Sequence, residues 1–405
     1  MDSLWETPKR SVFLDNIVKE IYSGKITLVF LPKHAPKGFL QQLKLKFEKR
    51  NQIKYRKIDL DNCENEGNKP IESFLFSDFD LDENTQTFIP QNAASIFRHI
   101  DFNVSKIFVF ENLPYVLVDQ FREFIIELGH YLTGNALYER HKVIVLLDAE
   151  NFKMTDFTSE SGIQKIMFQG VFDKLDNILI LRYYYNYQNN GFTSLYENIM
   201  SMLSVFDYRL TETLVECDNL IEDYNEQLNI FAREQKWDII KYKGINKLSE
   251  EEIWYRWSKG ILEKSNGTYI YHSAFLKIHN KDAEIKKRIW QSGVEVLIPL
   301  IEEFRDVILK SDKIHYPDVF PSKKNGDPIN SKIDLEIGSI YHFVNKQIIH
   351  IRWLSVGEKG KVKAFIKICR EIRNDLSHLK IPTVDNIEKF FQEYDEVKRL
   401  LRTND

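Results

Sequence analysis

The chain has 405 residues, more than one hydrophobic core usually holds, with 43% hydrophobic residues, 29% charged residues and a formal net charge of −4. That balance excludes a disordered, collagenous or low-complexity protein. No apolar run reaches the roughly 18–20 residues of a spanning helix, and the amino terminus (Met1-Asp-Ser-Leu-Trp-Glu6) lacks a leader's basic start and apolar stretch, so a cytoplasmic protein without a membrane partner is expected.

Five short runs rich in β-branched and aromatic residues predict strands at Lys25–Leu31, Ile53–Leu60, Lys106–Phe110, Lys142–Leu147 and Ile178–Tyr185. Between them lie apolar residues at helical spacing, such as Phe39-Leu43-Phe47 and Val116-Phe121-Ile125-Leu128. The alternation predicts an α/β domain over 1–205, built on a mainly parallel sheet covered by helices. From 206 the β signal fades into a helical run through Leu214, Leu220, Tyr224, Leu228 and Phe231. Ser249-Glu-Glu-Glu252 starts a further helix with an N-cap and an acidic first turn, and Asn266-Gly267 before Thr268-Tyr-Ile-Tyr271 predicts a hairpin. Residues 206–280 thus read as a helical, winged-helix-like linker.

After Lys281 the pattern is all-α, with four amphipathic helices expected near 285–309, 333–349, 361–379 and 384–401, forming a bundle over 281–405. Pro299 is expected to kink the first, and a turn-rich stretch, Tyr316 to Pro328, to separate the first two. In the third helix Val362, Phe365, Cys369, Ile372, Leu376 and Leu379 form one stripe that faces the core.

Charge is unevenly spread. Residues 281–405 carry 23 Lys and Arg against 20 Asp and Glu, and 341–380 alone hold nine bases and three acids, which favours a polyanionic partner there as much as a solvated basic face. Residues 61–90 hold eight acids and one base, Lys69; this acidic loop is expected to shield the basic bundle or to repel RNA until activation. Asp78-Phe-Asp80-Leu-Asp82 begins like a calcium loop, but Glu83 and Ile89 stand where Gly and Glu are needed. His315, His342 and His350 have no Cys and no second His at three or four residues, and Cys63, Cys217 and Cys369 are far apart, so neither a zinc site nor a disulfide framework is expected.

The motif able to carry chemistry is Arg373-Asn374-Asp375-Leu376-Ser377-His378. Asn374 and His378, four apart, share a helix face; Arg373 lies about 140° from His378 and would have to reach around. Pro382 places the helix end near the histidine. The pattern Arg, polar residue, three of any kind, His resembles the signature of the HEPN superfamily of metal-independent ribonucleases, in which it sits late in a helical bundle. The resemblance covers 281–405, with Gly338-Ser339 in the preceding helix. It implies RNA as substrate, no cofactor or metal, and catalysis by Arg373, Asn374 and His378 of two chains meeting across a two-fold axis, so that a homodimer is expected. The residue types suit that chemistry: imidazole trades protons near neutrality, and a guanidinium fork presents donors to phosphoryl oxygens better than an ammonium does. The alternative is a bundle whose Arg and His only cap the helix or pair with Asp375 and Glu371, in a non-catalytic scaffold that binds RNA or protein.

The order of elements in 1–205 resembles an AAA or STAND-type P-loop NTPase domain, but a degenerate one. Pro32-Lys-His-Ala-Pro-Lys-Gly-Phe39 stands where Gly-x4-Gly-Lys-Ser/Thr belongs, Pro32 and Pro36 remove two N–H donors, and no hydroxyl follows for magnesium. Lys106-Ile-Phe-Val-Phe-Glu111-Asn112 ends in one acid, and Asp148 ends the next strand as a sensor remnant or a cap. Lys33 and Lys37 are the residues left to bind a nucleotide's phosphates, and ATP hydrolysis is not expected. The combined resemblance implies a ribonuclease regulated by a nucleotide, phage component or partner protein, acting in bacterial anti-phage defence or toxin-like growth arrest.

Overall fold

A computed structural model describes residues 2–48, 54–63, 70–79, 92–99, 106–134, 141–157, 162–185, 191–217, 219–320, 329 and 331–402. Most of the acidic loop 61–90, including Asp80, Asp82, Glu83 and Ile89, and the end of the turn-rich stretch, 321–328, lie outside them. In chain order the first half runs α1 (Pro8–Tyr22), β1 (Ile26–Leu31), α2 (Phe39–Glu48), β2 (Lys54–Asp59), α3 (Pro70–Asp78), α4 (Ala93–His99), β3 (Lys106–Glu111), α5 (Val118–Gly134), β4 (Lys142–Asp148), β5 (Ile163–Met167) and α6 (Lys174–Tyr185). Then come α7 (Gly191–Ser204), α8 (Tyr208–Val215), α9 (Leu220–Glu234), α10 (Glu250–Ser258), β6 (Leu262–Ser265), β7 (Thr268–Tyr271) and α11 (Ser273–Ile278). The last part holds α12 (Asp282–Lys310), β8 (Ile314–His315), α13 (Ile337–Asn345), β9 (His350–Ile351), α14 (Val356–Ser377) and α15 (Val384–Leu401). None of these helices is long and apolar enough to cross a membrane.

The chain divides into two compact units, one of 1–180, 206–209 and 239–272, the other of 181–205, 210–238 and 273–405. The stretch 206–280 is therefore shared between them.

The first unit is built on a five-stranded parallel sheet in the order β2-β3-β4-β1-β5. Its three central strands, β3, β4 and β1, are apolar on both faces because both are covered. Leu28, Phe30, Phe108, Phe110, Val143 and Val145 join the cluster that includes α3, α4 and α5. Val29, Ile107, Val109 and Ile144, the alternate residues, pack with α1 and α2. The expected α/β layering is present, with one correction. Ile178–Tyr185 lies in helix α6, and the fifth strand is Ile163–Met167. Asp173 overrides the β propensity of that run: its carboxylate accepts from the Leu175 and Asp176 N–H groups, and Asp176 accepts from the Asp173 N–H, so a helix starts just upstream. The sequence Ile-Gln-Lys-Ile-Met, broken by polar residues, serves as a strand paired only to β1 among the described residues.

Ser249 caps α10 in a capping box with Glu252, and Asn266 and Gly267, both at positive φ (48° and 84°), turn the β6–β7 hairpin as their side chains predict.

In the second unit α12, α14 and α15 share a core in which Phe304 meets Phe365 edge-on at 4.7 Å and Phe365 stacks on Phe390 at 5.4 Å. Pro299 lies within α12, which continues on both sides of it. The second expected helix is shorter than its apolar pattern, because Ser331 caps a separate 3-10 turn at Lys332–Asp334 and Gln347, at φ 57°, ends α13. The third starts earlier than expected: Ser355 and Glu358 form a capping box ahead of the apolar stripe. Val362, Phe365, Cys369, Ile372 and Leu376 of that stripe are buried. Leu379 is not; it lies beyond the helix end with 72% of its surface exposed.

Candidate functional site

Arg373, Asn374 and His378 occupy the carboxyl-terminal end of α14. Arg373 and Asn374 are half-buried and His378 is exposed, as the C-cap residue with φ −101° and ψ 21°. The helix stops in a Schellman turn. The Lys380 N–H donates to the Asp375 carbonyl (2.8 Å) and the Leu379 N–H to the Leu376 carbonyl (3.2 Å), with Leu379 left-handed at φ 58°. Glycine is the usual occupant of that position because a Cβ there crowds the carbonyl; this chain puts a branched apolar residue in it.

Two neighbouring helices hold this end in place. From α12 the Trp290 indole Nε1 donates to the Leu376 carbonyl at 2.7 Å, adding a donor from another helix to one of the last carbonyls of α14. One turn along, Gly293 admits the Leu376 side chain so closely that a Cβ there would stand 3.0 Å from Leu376 Cδ2. From the residue before α13, Glu336 Oε2 accepts from Arg373 Nη2 at 3.0 Å. Glu336 makes no side-chain cap to its own helix, and the ion pair joins a half-buried guanidinium to an exposed carboxylate, which makes it weak and easily displaced. Arg370, one residue-triplet upstream, lies over the Tyr341 ring at 4.9 Å.

Sequence reading thus placed the three motif residues on one helix end. Among the described residues the hydrogen bonds join Arg373 to Glu336 and do not join it to His378, Asp375 or Glu371; Glu371 instead lies 3.7 Å from Lys367. Trp290 and Glu336 were not legible, since nothing in their spacing ties them to residues some 40 to 90 positions away. Cys369, close by on the buried face, is no nucleophile: burial pushes its thiol well up.

The other candidate, the loop after β1, borders a cleft of about 840 Å³ at the carboxyl edge of the sheet, where open α/β sheets bind ligands. Lys33 lines it, with Asp61, Glu111, Asp148 and Glu150, so acids outnumber the base. Burial raises the Asp148 carboxyl above its ordinary value, although its oxygens accept from Glu150 N–H (2.9 Å) and Asn151 Nδ2 (3.1 Å), the work of a strand-end cap. Glu111 pairs with Lys57. Lys37 is exposed, does not line the cleft, and gives its carbonyl to Trp5 Nε1 at 2.9 Å.

Part of the loop's N–H supply is already spent. Lys33 and Ala35 spend their N–H groups on the Ser258 and Pro32 carbonyls, and Pro32 and Pro36 have none. His34 is buried and places Nε2 3.0 Å from Glu263 Oε2. That carboxylate also accepts from Trp257 Nε1 (3.1 Å) and Gly170 N–H (3.0 Å), so the chain's own acid pins the loop. Among the described residues no cluster of three or more His, Cys, Asp or Glu is arranged to hold a metal.

No protein-family model and no curated protein matches the chain. Among solved structures it is similar to Cdc6p of Pyrobaculum aerophilum, with 11% identity and a TM-score of 0.31 over 70% of this chain and 92% of that one. It is likewise similar to the ORC2 protein of Aeropyrum pernix, solved as ADPNP-ADP complexes, with 11% identity and a TM-score of 0.33 over 69% and 92%.

Proposed function

We propose that the chain is a metal-independent endoribonuclease of the HEPN kind, acting as a homodimer through the helical bundle, with the α/β unit as a degenerate P-loop-like regulatory sensor that responds to a nucleotide, phage component or partner protein. The observation that carries the reading is the presentation of a guanidinium and an imidazole from the last turns of α14, the ring exposed and the guanidinium engaged, among the described residues, by an exposed carboxylate. In the reaction one imidazole takes the proton of a ribose 2′-hydroxyl as its oxygen bonds to the adjacent phosphorus. The P–O5′ bond breaks, and a second imidazole, supplied by the other chain, protonates the departing oxygen. Arg373 exchanges Glu336 for the equatorial phosphoryl oxygens, where charge builds, and Asn374 orients the phosphate or the ring. Cleavage thus yields a 2′,3′-cyclic phosphate and a 5′-hydroxyl. The setting is anti-phage defence or toxin-like growth arrest.

Fluorescent RNA tests this. Cleavage is expected to survive EDTA, to fail on a 2′-deoxy substrate, and to fall by about 10²-fold or more in His378→Ala and in Arg373→Ala. Loss of cleavage on chelation, or full activity in His378→Ala, overturns it. Unchanged RNA binding without any cleavage would leave the rival reading, a non-catalytic RNA- or protein-binding scaffold. ATP turnover is not expected, and Lys37→Ala should change nothing in an ATP-hydrolysis assay.

A further inference from the structure

The sequence places a branched residue where the chain must turn left-handed, and the turn lies beside the imidazole on which the proposed reaction depends. Leu379 at φ 58° is exposed, so no core packing of its side chain offsets its backbone conformation. The turn is held by the Lys380 N–H on the Asp375 carbonyl at 2.8 Å and by the Leu376 carbonyl, which accepts from the Leu379 N–H at 3.2 Å and from the Trp290 indole at 2.7 Å. The indole ties that carbonyl, two residues before His378, to the long helix α12. Gly293 on the same helix lets the Leu376 side chain seat against it. Without the indole bond the last turn is anchored by Leu376 packing and local bonds alone, and a helix terminus with a strained C′ residue frays.

We infer that Trp290 is a positioning residue for His378: its N–H fixes the strained turn that sets where the imidazole sits. The inference rests on the ribonuclease reading for its effect on rate, but not for its effect on the turn. In Trp290→Phe an aromatic ring remains on a half-buried site and the donor goes. The expected result is a fall in kcat of about 10- to 100-fold, the scale on which a misplacement of about 1 Å costs rate, with KM changed less than about twofold. Leu379→Gly removes the strain that the indole bond holds in check, so the double variant Trp290→Phe, Leu379→Gly is expected to recover most of the lost kcat. A packing defect would not be repaired that way. In the free protein the NMR signal of the His378 ring is expected to shift or broaden in Trp290→Phe and to return in the double variant.

An unmoved His378 signal in Trp290→Phe overturns the inference, as does a double variant no better than the single one. If the wild-type chain cleaves no RNA, the ribonuclease reading fails by itself and the NMR arm still decides the role of Trp290. Should Trp290→Phe not fold, Gly293→Ala probes the same seat from the other side: it is expected to disturb the His378 signal, and a signal left as in the wild type counts against the inference.

Discussion

That His378 shares a helix end with Arg373 and Asn374 was legible from the chain, because fixed offsets along one helix survive folding unchanged. Leu379 was misread for the converse reason. By spacing it continues the apolar stripe of Val362, Phe365, Cys369, Ile372 and Leu376, but periodicity says nothing about where a helix stops, and the Schellman turn takes Leu379 off the core. The misplacement has a measurable cost. A left-handed non-glycine residue gives up about 1–2 kcal/mol, and a glycine gives back about 0.5–1 kcal/mol of that as extra freedom in the unfolded chain. Leu379→Gly is therefore expected to stabilise the helical unit by about 0.5–1 kcal/mol, read as a rise in denaturation midpoint with an unchanged denaturant slope. A lower midpoint would mean that the exposed isobutyl group makes a contact worth more than the strain.

At the scale of elements, capping decided what apolar pattern could not. Ile178–Tyr185 has the composition of a strand and is a helix because Asp173 and Asp176 supply its first turn with acceptors. α14 begins at Val356, ahead of its stripe, for the same reason: the Ser355 hydroxyl accepts from the Glu358 N–H, and Glu358 accepts from the Ser355 N–H at 2.7 Å. Both signals are in the sequence, and both are outvoted by apolar spacing when the eye follows periodicity alone. Because α14 carries the candidate site at its far end, this box should matter for stability and not for chemistry. Ser355→Ala is expected to cost about 1 kcal/mol of unfolding free energy while RNA cleavage per folded molecule stays within about twofold of the wild type. A loss of cleavage without loss of stability would show that the two ends of the helix are coupled in a way the packing does not suggest.

At the scale of the whole chain, what sequence could not supply was which distant pieces meet. The first unit gathers 206–209 and 239–272 onto 1–180, and so brings the buried Asp207, with its half-buried neighbour Arg209, to the buried His272, with His34 near enough to act on the Asp207 carboxyl. Burial by itself pushes the Asp207 carboxyl up. The Arg209 guanidinium, 2.6 Å away and bonded to both oxygens, outweighs it and holds the carboxyl below its ordinary value, with the two histidines acting the same way. A carboxyl whose folded value lies below its unfolded one contributes stability at pH values above the ordinary value of about 3.9, and loses that contribution as pH falls through the depressed folded value. Acid unfolding of the first unit should therefore steepen below about pH 4. Asp207→Asn keeps the shape but removes the carboxylate to which Arg209 donates from two nitrogens. The variant is expected to be less stable near neutrality by about 3–5 kcal/mol, the cost of breaking a buried pair, and to lose that part of the acid dependence. Parallel acid-unfolding curves for Asp207→Asn and the wild type would mean that the cluster is already neutralised by something other than the carboxylate, and the account of why this interleaved unit holds together would have to be rebuilt around the Glu263 cage.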